Sequence, residues 1–139
     1  MTAKRPAKNP CGSCPYRKDV PSGVWVAEEY DKLPPYDNED MSQQPAGIFL
    51  CHQQDGHICA GWAGCHNMEN NLALRLAVIT GTLSGEEADA TYDYVSPVPL
   101  WSSGREAFEH GIGAVDNPDD KARRLIQNLT RKQARRREK

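Results

Sequence analysis

The spacing of the cysteines constrains the fold of this chain more than any other feature. Cys11 and Cys14 form a Cys-x-x-Cys pair, and Cys51 and Cys59 follow in a second segment. A Cys-x-x-Cys turn presents two thiolates to one ion, and a second segment must then supply the remaining ligands. The first half of the chain is therefore predicted to fold around a metal ion or an iron–sulfur cluster bound by these four cysteines.

The composition supports this prediction, because the hydrophobic core must be small. The chain has 139 residues, of which 38% are hydrophobic, and small cores often need a metal or disulfides for stability. Neither a secretory signal nor an apolar run long enough to span a membrane is present in the sequence. We therefore expect a cytoplasmic protein without a membrane partner. In that reducing compartment, clustered cysteines favour metal binding over disulfides.

The identity of the metal is predicted from the second pair of cysteines. Seven residues separate Cys51 from Cys59, whereas a zinc ribbon has a second Cys-x-x-Cys. The Cys14-Pro15 step is familiar from ferredoxin-type sites. A [4Fe–4S] cluster is therefore the first choice of cofactor, and zinc is the alternative.

Three further side chains are alternative ligands: Cys65, His52 and His66. A lone cysteine in an apolar setting usually acts as a small hydrophobic residue, which is the interpretation favoured for Cys65. His52 follows a ligand and is more simply explained as a hydrogen-bonded neighbour of the site. The four-cysteine set thus remains the prediction, with these three as its alternates.

The hydrophobic pattern predicts a mainly α-helical, small and irregular domain with long loops. A short helix is expected over residues 24–33, ended by Pro34-Pro35, and a loop over residues 34–47. The best helix lies between Asn67 and Gly81, and further helices are expected after Ser84 and after Ser102 or Ser103. The predicted apolar stripe of the best helix comprises Leu72, Ala73, Leu76, Ala77 and Ile79.

Charge divides the chain into three parts. Residues 1–10 are expected to be disordered, residues 11–116 to form the cysteine domain, and residues 117–139 to form a basic helical tail that starts at Asn117-Pro118. From Lys121 to Lys139 there are nine Lys or Arg and one acid, a charge of +8, whereas the rest of the chain carries −10. The tail is predicted to contact nucleic-acid phosphates. Its contact residues are Arg123, Arg124, Arg131, Lys132, Arg135, Arg136 and Arg137.

Four stretches of the sequence together resemble a family of small cysteine-containing proteins of unknown function from actinobacteria and their phages. They are Cys11–Trp25, Phe49–Gln53, Cys59–Trp62 and Asn71–Ala77, within a resemblance over residues 9–110 that leaves out the basic tail. The resemblance implies that the four predicted ligands form a shared site and that Cys65 has no fixed counterpart. It also implies an actinobacterial or phage setting. A looser likeness to the WhiB-like proteins, which carry a [4Fe–4S] cluster and bind a sigma factor, is an analogy of class.

No catalytic motif accompanies the cysteines. The sequence contains no Ser-His-Asp set, phosphate loop or nucleotide fingerprint, so an enzyme is the less favoured class. The function expected is that of a non-catalytic metal- or iron–sulfur-binding regulator that contacts nucleic acid or a protein of the transcription machinery. The alternatives are a redox or electron-transfer cluster protein and a structural zinc module for protein–protein contact.

Overall fold

The protein is a small, mainly helical domain. The computed structural model describes residues 2–137, with side chains described through Arg135. This part of the chain contains α-helices, short 3₁₀ helices and isolated β-bridges but no strands, as the helical fold class predicts. No helix in it is long and apolar enough to span a membrane. The α-helices are α1 (Ala27–Tyr30), α2 (Ala60–Cys65), α3 (Leu72–Ile79), α4 (Gly85–Tyr92), α5 (Gly104–Ile112) and α6 (Asp120–Arg137). The 3₁₀ helices are Pro34–Asp37, Met41–Gln43 and Met68–Asn70.

The first helix is shorter than the sequence predicts. It begins at Ala27 because Val26 is extended, with φ −73° and ψ 158°. Pro34 and Pro35 do not simply end a helix, since they begin the 3₁₀ helix Pro34–Asp37. Proline is accepted there because the amides of a first helical turn have no intrahelical partner. The predicted loop over residues 34–47 therefore contains two short helical turns.

The predicted helix between Asn67 and Gly81 is divided in two. Asn67 caps the 3₁₀ helix Met68–Asn70, and Asn71 caps α3 by accepting a hydrogen bond from the amide of Leu74 at 2.9 Å. Gly81, with φ +79°, follows α3 as predicted. The apolar stripe is wrong at its end: α3 buries Ala73, Leu74 and Ala77, whereas Ile79 is 78% exposed. Alternate hydrophobic faces on one short helix explain the error, because only packing selects between them.

The remaining helix starts are mostly as predicted. The hydroxyls of Ser84 and Ser103 cap α4 and α5. In α6 the cap is Asp119 and not Asn117, because Asp119 Oδ1 accepts a hydrogen bond from the amide of Ala122 at 2.7 Å. Acidic residues in the next position favour the same helix end through its dipole.

The N-terminal segment, for which the sequence predicts disorder, pairs with two distant loops in the structure. The amide of Ala3 donates to Thr82 O at 2.9 Å, and the amide of Lys4 donates to Gly56 O at 2.8 Å. The amide of Ile58 returns a bond to Lys4 O at 2.9 Å. Backbone hydrogen bonds hold this segment, so its lack of large apolar side chains does not leave it without partners. Met1 lies outside the described residues.

In the described part of the chain, two clusters of buried side chains stabilise the domain. The larger one surrounds Trp62, Tyr16 and Leu74 and includes Cys14 and Cys59. The smaller one joins α6 to the segment that precedes α1. It comprises Val20, Val24, Ala122 and Leu129, with Trp25, Leu125 and Ile126 packed against it. The basic tail is therefore docked through one face of α6, and its exposed residues lie on the other.

Candidate metal centre

The first two cysteines lie in a tight turn. The amide of Cys14 donates to Cys11 O at 3.0 Å, and the amide of Arg17 donates to Cys14 O at 3.1 Å. These bonds close two successive turns around Pro15. Cys14 is fully buried, whereas Cys11 is half-buried. The turn thus directs one thiol into the core and leaves the other at its edge.

The second pair lies at the two ends of a small loop. The amide of Cys51 donates to His57 O at 2.9 Å, and the amide of Cys59 donates to Phe49 O at 2.8 Å. The antiparallel bridge between Leu50 and Ile58 closes the loop. The bridge therefore holds Cys51 and Cys59 on the two sides of one small loop. Cys59 is also the residue that precedes α2, a helix that the sequence analysis did not predict.

The structure brings the four predicted cysteines together. Cys14 Sγ lies 3.8 Å from Cys59 Sγ. The thiol of Cys11 interacts with those of Cys14 and Cys51. Pairwise interactions therefore link the four cysteines in the order Cys51, Cys11, Cys14 and Cys59. In residues 2–137, no three His, Cys, Asp or Glu side chains already have the arrangement of a metal-binding group.

The environment of Cys11, Cys14 and Cys51 disfavours the thiolate form. Interaction with Cys14 and burial raise the pKa of Cys11, and interaction with Cys11 and burial raise the pKa of Cys51. For Cys14, the bond with Cys11 acts in the opposite direction, but the bond with Cys59 and burial outweigh it, so its pKa is also raised. Thiols grouped in this way stay protonated until a cation lies among them, because a coordinating ion deprotonates its thiol ligands.

Gly61 makes room for Cys14. A Cβ atom at residue 61 would lie 2.3 Å from Cys14 Sγ and 2.8 Å from Tyr16 Cβ. The first turn of α2 can pack against the buried thiol only because this residue has no side chain. Trp62, which is fully buried, follows in the same turn and packs in the same hydrophobic cluster as Cys14 and Cys59.

Trp25 and His52 brace the two cysteine loops against each other. Trp25 Nε1 donates to Ser13 O at 2.8 Å, within the Cys11–Cys14 turn. The Trp25 ring lies on the His52 ring, with centroids 4.5 Å apart. His52 Nε2 in turn lies 2.7 Å from Glu29 Oε2. His52 is thus a hydrogen-bonded neighbour of the site, the role that the sequence favoured.

His66 belongs to a separate buried network. Its Nδ1 lies 3.3 Å from Asp37 Oδ1, and its Nε2 lies 2.9 Å from the hydroxyl of Tyr16. Asp37 accepts only, so Nδ1 carries the proton and Nε2 accepts from Tyr16. Burial lowers the pKa of His66 to about 4, against the opposing charge of Asp37. Both ring nitrogens therefore have partners within the fold.

Asp37 and Cys65 are two ionisable residues beside His66. The Asp37 carboxylate also accepts hydrogen bonds from the amides of Gly104 at 2.7 Å and Arg105 at 2.8 Å, at the start of α5. The sequence analysis did not identify Asp37, which lies in a polar segment without any motif. Cys65 forms no thiol hydrogen bond with the four predicted ligands within the described residues, and burial, with smaller contributions from Asp37 and Cys14, raises its pKa to about 12.

The predicted nucleic-acid contacts lie along α6. The side chains of Arg123, Arg124, Arg131, Lys132 and Arg135 are exposed, and those of Arg136 and Arg137 lie outside the described part of the chain. Arg123 donates to Asn117 Oδ1 at 3.2 Å. Lys132 Nζ donates to Gln53 Oε1 at 3.1 Å and thereby joins α6 to the second cysteine loop.

A mainly helical domain with four adjoining cysteines is the class that fold and site define. The chain belongs to the family of unknown function DUF6283, whose model matches residues 6–132. The match extends past residue 110, where the resemblance was expected to end, and includes most of α6. No curated protein and no solved structure matches the chain.

Proposed function

We propose that this protein is a non-catalytic metal-binding regulator in which Cys11, Cys14, Cys51 and Cys59 hold one metal centre and α6 contacts nucleic acid. The observation that carries the proposal is the meeting of four cysteines from two distant segments. Free cysteines that serve only as small apolar residues have no reason to adjoin one another, whereas ligands of one centre must.

The packing around Cys14 is compatible with zinc, which we propose in place of a [4Fe–4S] cluster. Zn–S bonds of about 2.3 Å separate two sulfurs of a tetrahedral site by about 3.8 Å. The distance between Cys14 Sγ and Cys59 Sγ is 3.8 Å. In a cubane cluster each thiolate binds a different iron, so the sulfurs lie farther apart. Gly61 and Tyr16 crowd Cys14 and leave little room for that. A bound zinc ion would supply structural cross-linking of the loops.

The burial of the site favours a regulatory or structural role over electron transfer. Cys14, Cys51 and Cys59 are all buried. Four cysteine ligands on one ion would leave no open position for a substrate, which is the pattern of structural zinc sites. A structural zinc module that contacts another protein, including one of the transcription machinery, is the second candidate.

Contact with nucleic acid is supported by the separation of charge. The segment from Lys121 to Lys139 carries +8 against −10 elsewhere. Because α6 is docked through its apolar face, its basic side chains are held together on the exposed one. We place this activity in the bacterial cytoplasm, in actinobacteria or their phages, on the basis of the sequence resemblance.

Metal analysis of protein purified without oxygen tests the proposal. We expect about one zinc per chain and no broad absorbance near 400 nm. Cys14→Ser and Cys59→Ser should lose the metal, and Cys65→Ser, the control, should keep it. Retention of metal by Cys59→Ser together with its loss from Cys65→Ser would overturn the ligand assignment. A brown protein that contains iron and sulfide would show that the centre is a [4Fe–4S] cluster and not zinc.

A further inference from the structure

A basic notch lies where α6 crosses the two cysteine loops. It is a cavity of about 270 Å³, large enough to take a phosphate group. One wall is α6, and the other consists of residues that adjoin Cys11 and Cys51. The notch is lined by Gly12, Gln53, Leu125, Asn128, Leu129, Arg131, Lys132 and Arg135.

The charge of the notch is positive and not offset by acids. Among the described residues, three cations line it and none of the lining residues is acidic. Arg131 and Arg135 lie one helical turn apart, so they share a face of α6. Neither takes part in an ion pair within the part of the chain that the structure describes. By contrast, Arg5 is paired with Glu87 and Arg17 with Asp19.

The second wall of the notch is tied to the cysteine centre. Gln53 follows Cys51 by two residues, and its Nε2 donates to Ser13 Oγ between Cys11 and Cys14. Its Oε1 accepts from Lys132 Nζ at 3.1 Å. Gly12 is exposed, and a Cβ atom there would meet nothing within 4 Å, so the backbone beside Cys11 is open to a ligand.

We propose that this notch is a subsite for a backbone phosphate of a nucleic acid, built jointly by α6 and the two cysteine loops. The inference rests on the proposed function, since it specifies where on α6 the nucleic acid is held. Arg131 and Arg135 supply the charge, and Gln53 positions Lys132 beside them. Because Gln53 and Gly12 belong to the cysteine loops, loss of the metal should weaken binding at this subsite.

The charge on the notch is tested by binding a mixed-sequence DNA duplex to the metal-loaded protein by fluorescence anisotropy, from about 50 mM salt upward. Arg131→Gln should weaken binding about fivefold and lower the salt slope by about one. The control is Arg124→Gln, which removes the same charge from the same helix outside the notch and should have a clearly smaller effect. Equal losses at both positions would overturn the subsite and leave nucleic-acid contact through α6 intact.

A neutral substitution separates the notch from a general field of charge. Gln53→Ala should weaken DNA binding severalfold, whereas Gln127→Ala, an exposed residue of α6 outside the notch, should not. If Gln53→Ala fails to fold, as judged by its helical circular dichroism, the comparison of Arg131→Gln with Arg124→Gln decides alone. A folded Gln53→Ala that binds as tightly as the unchanged protein contradicts the subsite. Absence of DNA binding at low salt overturns both the subsite and the nucleic-acid part of the proposed function.

Discussion

Replacing Gly61 by alanine adds one methyl group at the most crowded point of the candidate centre. The added carbon would lie 2.3 Å from Cys14 Sγ and 2.8 Å from Tyr16 Cβ. Atoms in ordinary contact are about 3.5–4 Å apart, so the methyl group overlaps the sulfur by more than about 1 Å. Cys14 is fully buried, and the Cβ of Tyr16 is fixed to the backbone. The Cβ of Tyr16 can move only with its backbone, and Cys14 Sγ can avoid the new group only by leaving its buried position.

The size of the effect follows from two opposing contributions. Overpacking of a well-packed core costs about 1–3 kcal/mol, and the immobile neighbours place this site at the upper end. Alanine is favoured over glycine within a helix by about 1 kcal/mol. The net loss in the free energy of unfolding should be about 2 kcal/mol. For a chain of this length, that corresponds to a fall in Tm of about 8 °C.

Thermal unfolding followed by circular dichroism measures this change. Gly85→Ala, the control, makes the same substitution at the start of α4, where a Cβ atom would meet nothing within 4 Å. Its Tm should not fall, and the helical preference for alanine should raise it by up to about 4 °C. Gly61→Ala should also bind less metal, because Cys14 must move. A Gly61→Ala variant with unchanged Tm and metal content would refute the packing described around Cys14.

Three further perturbations test other parts of the fold. The pKa of His66 is about 4 in the folded protein and about 6.5 in the unfolded chain, so between these pH values the unfolded chain binds more protons. Lowering the pH from 6.5 to 4 should therefore reduce the free energy of unfolding by up to about 3 kcal/mol. In His66→Gln, urea unfolding at pH 6.5 and at pH 4 should show a much smaller loss of stability between the two pH values. Leu129 is buried where α6 docks, so Leu129→Ala should lower the free energy of unfolding in urea by about 2–3 kcal/mol. Gln127→Ala, the control, should lower it by less than about 0.5 kcal/mol. Equal effects would mean that α6 is not docked. Asp37→Asn should lower the free energy of unfolding by about 1–2 kcal/mol, because its amide NH₂ would face the backbone amides of Gly104 and Arg105. An unchanged Tm would contradict the capping of α5 by Asp37.

Local signals predicted those features that depend on neighbours in sequence. Ser84, Ser103 and Gly81 mark helix ends because a side-chain cap or a left-handed backbone acts within one turn. The convergence of Cys51 with the Cys11–Cys14 turn was predicted for a chemical reason, since one centre needs ligands from both segments. These predictions required no knowledge of how distant parts of the chain pack.

Features that depend on tertiary packing could not be predicted in the same way. The buried face of α3 includes Leu74 and leaves Ile79 exposed, a choice between two apolar faces that only the neighbours make. The pairing of Ala3 and Lys4 with distant loops uses backbone groups that every residue carries. Asp37 contacts both His66 and the first amide of α5, although it lies in a segment with no recognisable sequence pattern.

X-ray absorption at the zinc edge tests the central claim most directly, because it reports the atoms bound to the metal in the full-length protein. The account predicts a first shell of four sulfur atoms at about 2.3 Å and no nitrogen. Cys65→Ser should leave this shell unchanged. A shell that contains nitrogen, or a protein that holds no metal in any stoichiometric amount, would contradict the claim that Cys11, Cys14, Cys51 and Cys59 together form the complete ligand set of one metal ion.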